Sequence, residues 1–388
     1  MKKIIIVNNN MKVGGVQKSL HNLLWSIHEQ YDVTLCLFRA EGEYVSQLPS
    51  SVRIVECKSL VRFLGMSQGE CKGLDKFRRA ALAVLTKQFG RPVAMKVVLA
   101  SQRTLPENYD CAIAFLQNGN IKNFYGGVQE FVLRRIKACK KVAFLHCDYA
   151  NSGANHPANN EVLEAFDVIA ACSDGCRRVF EEVMPQCREK CVTVRNCHRL
   201  DEIIAMAEKE TVTYDSQKVN VVMVSRLAHE KGIERAIAAV SNAKEKGIPV
   251  VLHIVGGGPK EAELRQIVTQ VGLEGQICFY GEQGNPYRYI KNADLFLLTS
   301  YHEAAPMVLE ESRLLNVPIL TVRTTSSEEM VTLQGCGWVC ENDQLSLERA
   351  MEHVLGDMGA LKKMKMELRT RCVDNSQAVE QFKKVIGG

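Results

Sequence analysis

Arg226 and Lys231 stand close together in Ser225-Arg-Leu-Ala-His-Glu-Lys-Gly232, directly after the apolar run 220–224 and ahead of a helical pattern. An arginine grips phosphate oxygens through two parallel hydrogen bonds and a lysine supplies a point charge, so the pair suits a diphosphate. Two carboxylates, Glu303 and Glu311, bracket Ala304-Ala305-Pro306-Met307. Proline favours the first turn of a helix, which predicts Pro306 there, Glu303 just ahead of it and Glu311 about two turns on. Carboxylates accept hydrogen bonds from hydroxyls, as a ribose or a sugar requires. Gly14-Gly15 and the turn Gly256-Gly257-Gly258-Pro259 each join an apolar run to a helical pattern. Glycines at such turns let backbone amides approach a phosphate, and the helix N-terminus favours its charge. Plain tight turns are the competing reading, and the Gly-x-Gly-x-x-Gly spacing of a nicotinamide dinucleotide site is absent. Taken together, cations, bare helix starts and two carboxylates describe a site for a polyhydroxylated diphosphate, which is what a sugar nucleotide is.

These residues all fall at junctions of one repeated pattern. Short β-branched runs at 3–7, 33–38, 52–55, 111–115, 141–146, 168–171 and 190–194 alternate with amphipathic helical stretches such as 17–28. A second series has runs at 220–224, 250–255, 277–280, 295–299, 319–322 and 337–339, with helices expected at 234–246 and 260–271. Alternation of this kind predicts an α/β chain with two doubly wound, Rossmann-like parallel sheets. The expected division is an N-terminal domain over 1–207, a linker over 208–218, a C-terminal domain over 219–370, and a last helix over 371–388 that crosses back to the first domain. Ligands of open α/β sheets sit beyond the carboxyl ends of the strands, so the site is expected in a cleft faced by both domains.

At 388 residues, with 46% hydrophobic and 24% charged side chains, the composition fits a globular enzyme and excludes a disordered or fibrous chain. The run 4–7 is too short for a signal-peptide core, and the longest apolar runs are strand length, so neither export nor a membrane span is expected. The fifteen cysteines are odd in number and irregularly spaced, which points to reduced thiols in a cytosol. Cys172, Cys176, Cys187, Cys191, Cys197 and His198 crowd together, but the gaps favour free thiols over a zinc site. Residues 58–103 hold ten Lys or Arg against Glu70 and Asp75, a local excess of +8 in a chain of +5. Apolar side chains lie between these charges, for example over 61–66 and 93–99, and a second basic run spans 134–141. Such interleaving fits either a solvated helix face or a helix on an anionic membrane, where each cation contributes about 1 kcal/mol.

The motifs as a set resemble those of family-4 retaining glycosyltransferases of the GT-B fold, in which two Rossmann-like domains face each other across a cleft. Residues 225–232 are similar to the family's Ser-Arg-Leu…Glu-Lys-Gly segment, 255–259 to its Gly-Gly-Gly-Pro turn, and 303–311 to its Glu-x7-Glu motif. Glu329-Met-Val and Gly335-Cys-Gly-Trp338 follow the pattern of its last loop. The resemblance implies that Arg226 and Lys231 hold the donor diphosphate, Glu311 binds the ribose, and Glu303 lies near the transferred sugar. It further implies that Gly14 and Gly15 cap the phosphates from the first domain, that Gly257, Ala305, Pro306 and Met307 contact the donor, and that His146 reaches the sugar. Two departures stand out. Ala304-Ala305 replaces the usual Gly-Phe, which alters the sugar pocket, and Asn196 is followed by Cys197-His198 instead of Gly-Ile, so no role is carried over to it.

The implied activity is metal-independent transfer of a hexose from a nucleotide diphosphate sugar, UDP-sugar favoured, with no further cofactor. The implied acceptor is a glycan or a lipid-linked precursor in bacterial surface polysaccharide or glycoconjugate synthesis. The chain contains no Asp-x-Asp metal clamp. A cytoplasmic protein, peripheral at the inner face of the plasma membrane, is expected, with no nucleic-acid partner. A sugar-nucleotide epimerase, a phosphorylase and a non-catalytic sugar-nucleotide-binding subunit are the alternatives.

Overall fold

A computed structural model describes residues 1–387, so Gly388, the end of the last expected helix, lies outside the described residues. The chain divides into two compact units, Met1–His198 with the chain from Asn375 onward, and Arg199–Asp374.

The first unit is a seven-stranded sheet of order β3-β2-β1-β4-β5-β6-β7, parallel throughout. Its strands are β1 Lys3–Asn8, β2 Asp32–Leu37, β3 Arg53–Glu56, β4 Asn108–Ala114, β5 Lys137–Leu145, β6 Val168–Ala171 and β7 Cys191–Thr193. β1 is buried from Ile4 to Asn8, as a central parallel strand covered on both faces must be. Its alternate side chains feed two cores: Ile5 and Val7 belong to the one that holds Phe131 and Phe180, Ile4 and Ile6 to the one that holds Leu24, Phe144 and Phe382. Phe382 comes from the last helix, Ser376–Val385, and its ring lies 6.4 Å from both Tyr31 and Phe144.

The second unit is a six-stranded parallel sheet of order β10-β9-β8-β11-β12-β13. Its strands are β8 Val219–Val224, β9 Val250–Val255, β10 Ile277–Phe279, β11 Leu295–Leu298, β12 Ile319–Val322 and β13 Gly337–Cys340. The division falls earlier than the expected 207/208 boundary. Helix Leu200–Lys209 packs Ile203 and Ala207 among Tyr289, Ile290 and Phe296, so it belongs to the second unit. Residues 208–218 are likewise not a free linker. Glu208 and Glu210 pair with Lys291 and Arg288, and Tyr214 stacks on His253 at 4.0 Å while its hydroxyl donates to the Tyr289 carbonyl at 3.1 Å. The polar composition that suggested a linker is consumed by these contacts.

The basic stretch 58–103 is also less uniform than its sequence implies. Val61, Phe63, Leu64 and Met66 are core residues, so the 61–66 segment does not face a surface. Arg91 is 1% exposed, bonding Glu130 Oε1 at 3.3 Å, the Gly119 carbonyl at 3.3 Å and Asn159 Oδ1. Arg79 turns inward to the Met66 carbonyl at 2.8 Å and Gln68 Oε1 at 2.9 Å. Among the described residues no helix is long and apolar enough to cross a membrane.

Candidate active site

In both sheets the strand order reverses once, between β1 and β4 in the first unit and between β8 and β11 in the second. A doubly wound sheet opens a crevice at the carboxyl ends of the two strands that flank such a reversal. The segments leaving β8 and β11 are 225–232 and 299–306, which hold Arg226, Lys231 and Glu303.

Backbone geometry forces these two segments together. Gly232 has φ +57° and a side chain there would meet the Thr299 carbonyl at 2.5 Å. The Thr299 hydroxyl donates to the Gly232 carbonyl at 2.8 Å, and Tyr301 N–H donates to the Glu230 carbonyl at 3.0 Å. Across this seam Lys231 Nζ donates to Glu303 Oε1 at 2.7 Å, and Ser300 Oγ donates to the same oxygen at 2.7 Å. The side chains of Lys231 and Glu303 are 24% and 11% exposed, so the pair is largely withdrawn from water. Arg226 is exposed and pairs with Glu230, four residues on.

Residues 256–258 serve this seam from the other side. Leu227 N–H donates to the Gly257 carbonyl at 2.9 Å, and side chains at Gly256 or Gly258 would lie 1.9 Å from the Ser225 carbonyl or 2.4 Å from the Leu227 carbonyl. Gly256 and Gly258 are thus required for close backbone packing, whereas a side chain at Gly257 would make only ordinary contacts with Glu282.

Beyond Ala304 and Ala305, Pro306 adopts φ −68° and ψ 115° and sits at the N-cap of helix Met307–Leu314, one position before the helical turn in which proline was expected. Its carbonyl accepts from Leu309 N–H at 3.1 Å. Among the described residues no side chain caps this end, which leaves first-turn amides for an anion. Glu311 lies in the same helix and is 1% exposed.

In the first unit, Gly14 is the N-cap of helix Gly15–Ile27, again with no side-chain cap among the described residues. A side chain at Gly15 would meet open space. Asn8, Asn9 and Asn10 leave β1 and are buried, with Asn9 Nδ2 donating to the Leu64 carbonyl at 3.2 Å and Asn10 Nδ2 to the Gly65 carbonyl at 2.9 Å. Asn8 Oδ1 and Asn9 Oδ1 are shielded and have no partner. Sequence reading passed over these amides; the signal it had was three consecutive asparagines at the end of a central strand.

His146 leaves β5 with its N–H donating to Gln117 Oε1 at 3.1 Å. Its ring lies 4.6 Å from Phe115 and 5.8 Å from Phe144, and Nε2 is shielded without a partner. Burial lowers its pKa from 6.5 to about 4, so the imidazole is neutral near pH 7 and acts as a hydrogen-bonding group. His253 is lowered to about 4 by the same cause. The unfolded chain takes up both protons near 6.5 while the folded chain refuses them until about 4. These groups therefore leave stability intact above about pH 6.5 and erode it as pH falls towards 4. Denaturant melts over pH 4 to 7 should show this slope, shallower in His146→Gln; an identical slope in that variant would remove His146 from the account.

A cavity of about 490 Å³ opens beside the 225–232 segment, lined by His229, Glu230, Tyr301, His302 and Asn342, none of which the sequence singled out as site residues. All fifteen cysteines are free, and among the described residues no group of three or more His, Cys, Asp or Glu is placed to hold a metal ion.

Residues 207–378 match the family model described as glycosyl transferases group 1. The N-acetyl-alpha-D-glucosaminyl L-malate synthase of Bacillus anthracis is 26% identical over 212 residues, 52% of this chain and 54% of that protein. The amylovoran biosynthesis glycosyltransferase AmsK of Erwinia amylovora is 29% identical over 140 residues, 34% of each chain. The chain spans only between about a third and about half of the length of the curated relatives it matches. The solved structure of HepE from Anabaena, in complex with UDP and glucose, is similar with a TM-score of 0.68 and 16% identity, covering 99% of this chain and 98% of that one.

Proposed function

We propose that this chain, which has the GT-B fold and whose residues 207–378 match the model of glycosyl transferases group 1, is a retaining glycosyltransferase. It moves a hexose-type sugar from a nucleotide diphosphate sugar, preferably a UDP-sugar, to a glycan or lipid-linked acceptor of a bacterial surface polysaccharide. The acceptor reaches it at the cytoplasmic face of an anionic membrane.

The observation that carries this reading is the Lys231–Glu303 contact at 2.7 Å, where strand ends β8 and β11 meet. A diphosphate drawn to Lys231 and Arg226 is then held with its attached sugar beside Glu303. The bond from anomeric carbon to phosphate oxygen breaks through an oxocarbenium-like state, and the leaving diphosphate takes the bonding electrons. Arg226, Lys231 and the first amides of helix Met307–Leu314 stabilise that charge. The acceptor hydroxyl attacks on the face the phosphate vacates, and a departing phosphate oxygen takes its proton, which preserves the anomeric configuration without a protein base. Glu311 binds the ribose.

A panel of nucleotide sugars tests this by release of the nucleoside diphosphate and by the anomeric configuration of the product. Acceptor-dependent transfer with retention, best with a UDP-sugar, is expected. Interconverted free nucleotide sugar, phosphate-dependent release, or inversion would replace this reading. Since two cations stand in for an acidic clamp, turnover is expected to survive exhaustive chelation; loss with EDTA restored by magnesium or manganese would contradict that.

A further inference from the structure

Helix Leu74–Phe89 has two apolar faces. Leu82 and Thr86 point into the core. Leu74, Phe77, Ala81 and Val84, at spacings of three, four and three, form a separate stripe on the opposite side. This stripe faces solvent: Leu74 is 72%, Phe77 74% and Val84 53% exposed. Phe89 ends the helix at 64% exposure, and the adjoining helix Arg91–Ala100 adds Val93 and Val97 at 39% and 47%. Single exposed apolar side chains are ordinary, but six large ones on two successive, mutually packed helices are not.

The charges around the stripe are of one sign. Going around the helix, Arg78 borders one edge and Lys76 and Lys87 the other, and Lys96 is exposed between Val93 and Val97. The two acidic residues of the stretch are already engaged: Asp75 by Arg62 at 2.6 Å and Arg78 at 3.5 Å, and Glu70 by Lys12 and the Ser67 N–H. A second copy of the chain seated on this face would set like charges beside each other, whereas an anionic lipid surface complements both the stripe and its border.

We propose that helix Leu74–Phe89 lies in the plane of an anionic membrane. Leu74, Phe77 and Val84 enter the acyl boundary, and Lys76, Arg78, Lys87 and Lys96 meet the lipid phosphates. The purpose of this surface rests on the lipid-linked acceptor proposed above; its existence does not.

Co-sedimentation with phosphatidylcholine vesicles, with and without phosphatidylglycerol, tests the proposal on the full chain. Binding to the anionic vesicles only, weakened by salt, is expected. Phe77→Ser with Val84→Ser, and separately Lys76→Glu with Arg78→Glu and Lys87→Glu, should each lower the bound fraction on the order of tenfold or more. UDP affinity, which reads the second unit, should stay at the wild-type level in both variants. That keeps a failure here distinguishable from a failure of the transferase reading. Equal recovery in the supernatant with both lipid compositions, or binding that neither variant weakens, would overturn the proposal. So would a concentration-dependent dimer, seen by light scattering, that the Phe77→Ser, Val84→Ser variant abolishes.

Discussion

Replacing Lys231 with alanine is expected to lower transfer by about a hundredfold to a thousandfold, the loss that follows removal of one preorganised group from a developing charge. Two effects act in the same direction. The substitution deletes a cation at the strand end proposed to hold the diphosphate, and it takes the Lys231 contact from the mostly buried Glu303, which keeps its hydrogen bond from Ser300 Oγ. An uncompensated carboxylate there repels the incoming diphosphate. The two residues act as a unit, so their substitutions should be non-additive: Glu303→Gln introduced into Lys231→Ala should recover part of the donor affinity while leaving turnover low. Arg226, whose side chain is 66% exposed and already paired with Glu230, should matter less to donor binding. Wild-type turnover in Lys231→Ala would remove the diphosphate from this seam.

The central strands were legible because they are dense runs of β-branched or aliphatic residues that are covered on both faces. β6, β9 and β12 match the sequence reading at both ends, and most others differ by a residue or two. The junction segments were legible for the same reason, since glycines, cations and carboxylates at strand ends have few purely local explanations. What stayed hidden was pairing. Residues 208–218 read as a linker because their polar atoms show no partner in sequence, yet Tyr214, Glu208 and Glu210 each find one in the second unit. The stretch 58–103 read as uniformly basic because a buried arginine and an exposed one are the same letter. Arg91 lies inside, against Glu130 and Asn159, while Arg78 lies outside. The Glu303–Lys231 contact was likewise not readable, because it depends on Gly232 letting two chain-distant loops touch.

Glu311→Gln is expected to weaken UDP binding by about tenfold to a hundredfold, the usual worth of a hydrogen bond to a charged acceptor. At 1% exposure the carboxylate is withdrawn from water, and it lies in the later half of helix Met307–Leu314, the end whose dipole disfavours negative charge. The amide keeps the side chain's shape and removes its charge, so UDP affinity reads the carboxylate's share in binding and the melt of the unliganded variant reads its share in the fold. Turnover at saturating donor should change less than donor affinity, because a ribose contact is made in the ground state and the transition state alike. Calorimetric titration with UDP, set beside a thermal melt of the unliganded protein, separates the outcomes. Unchanged UDP affinity would remove Glu311 from the donor site, and a lower melting temperature with unchanged affinity would mark it as a structural carboxylate.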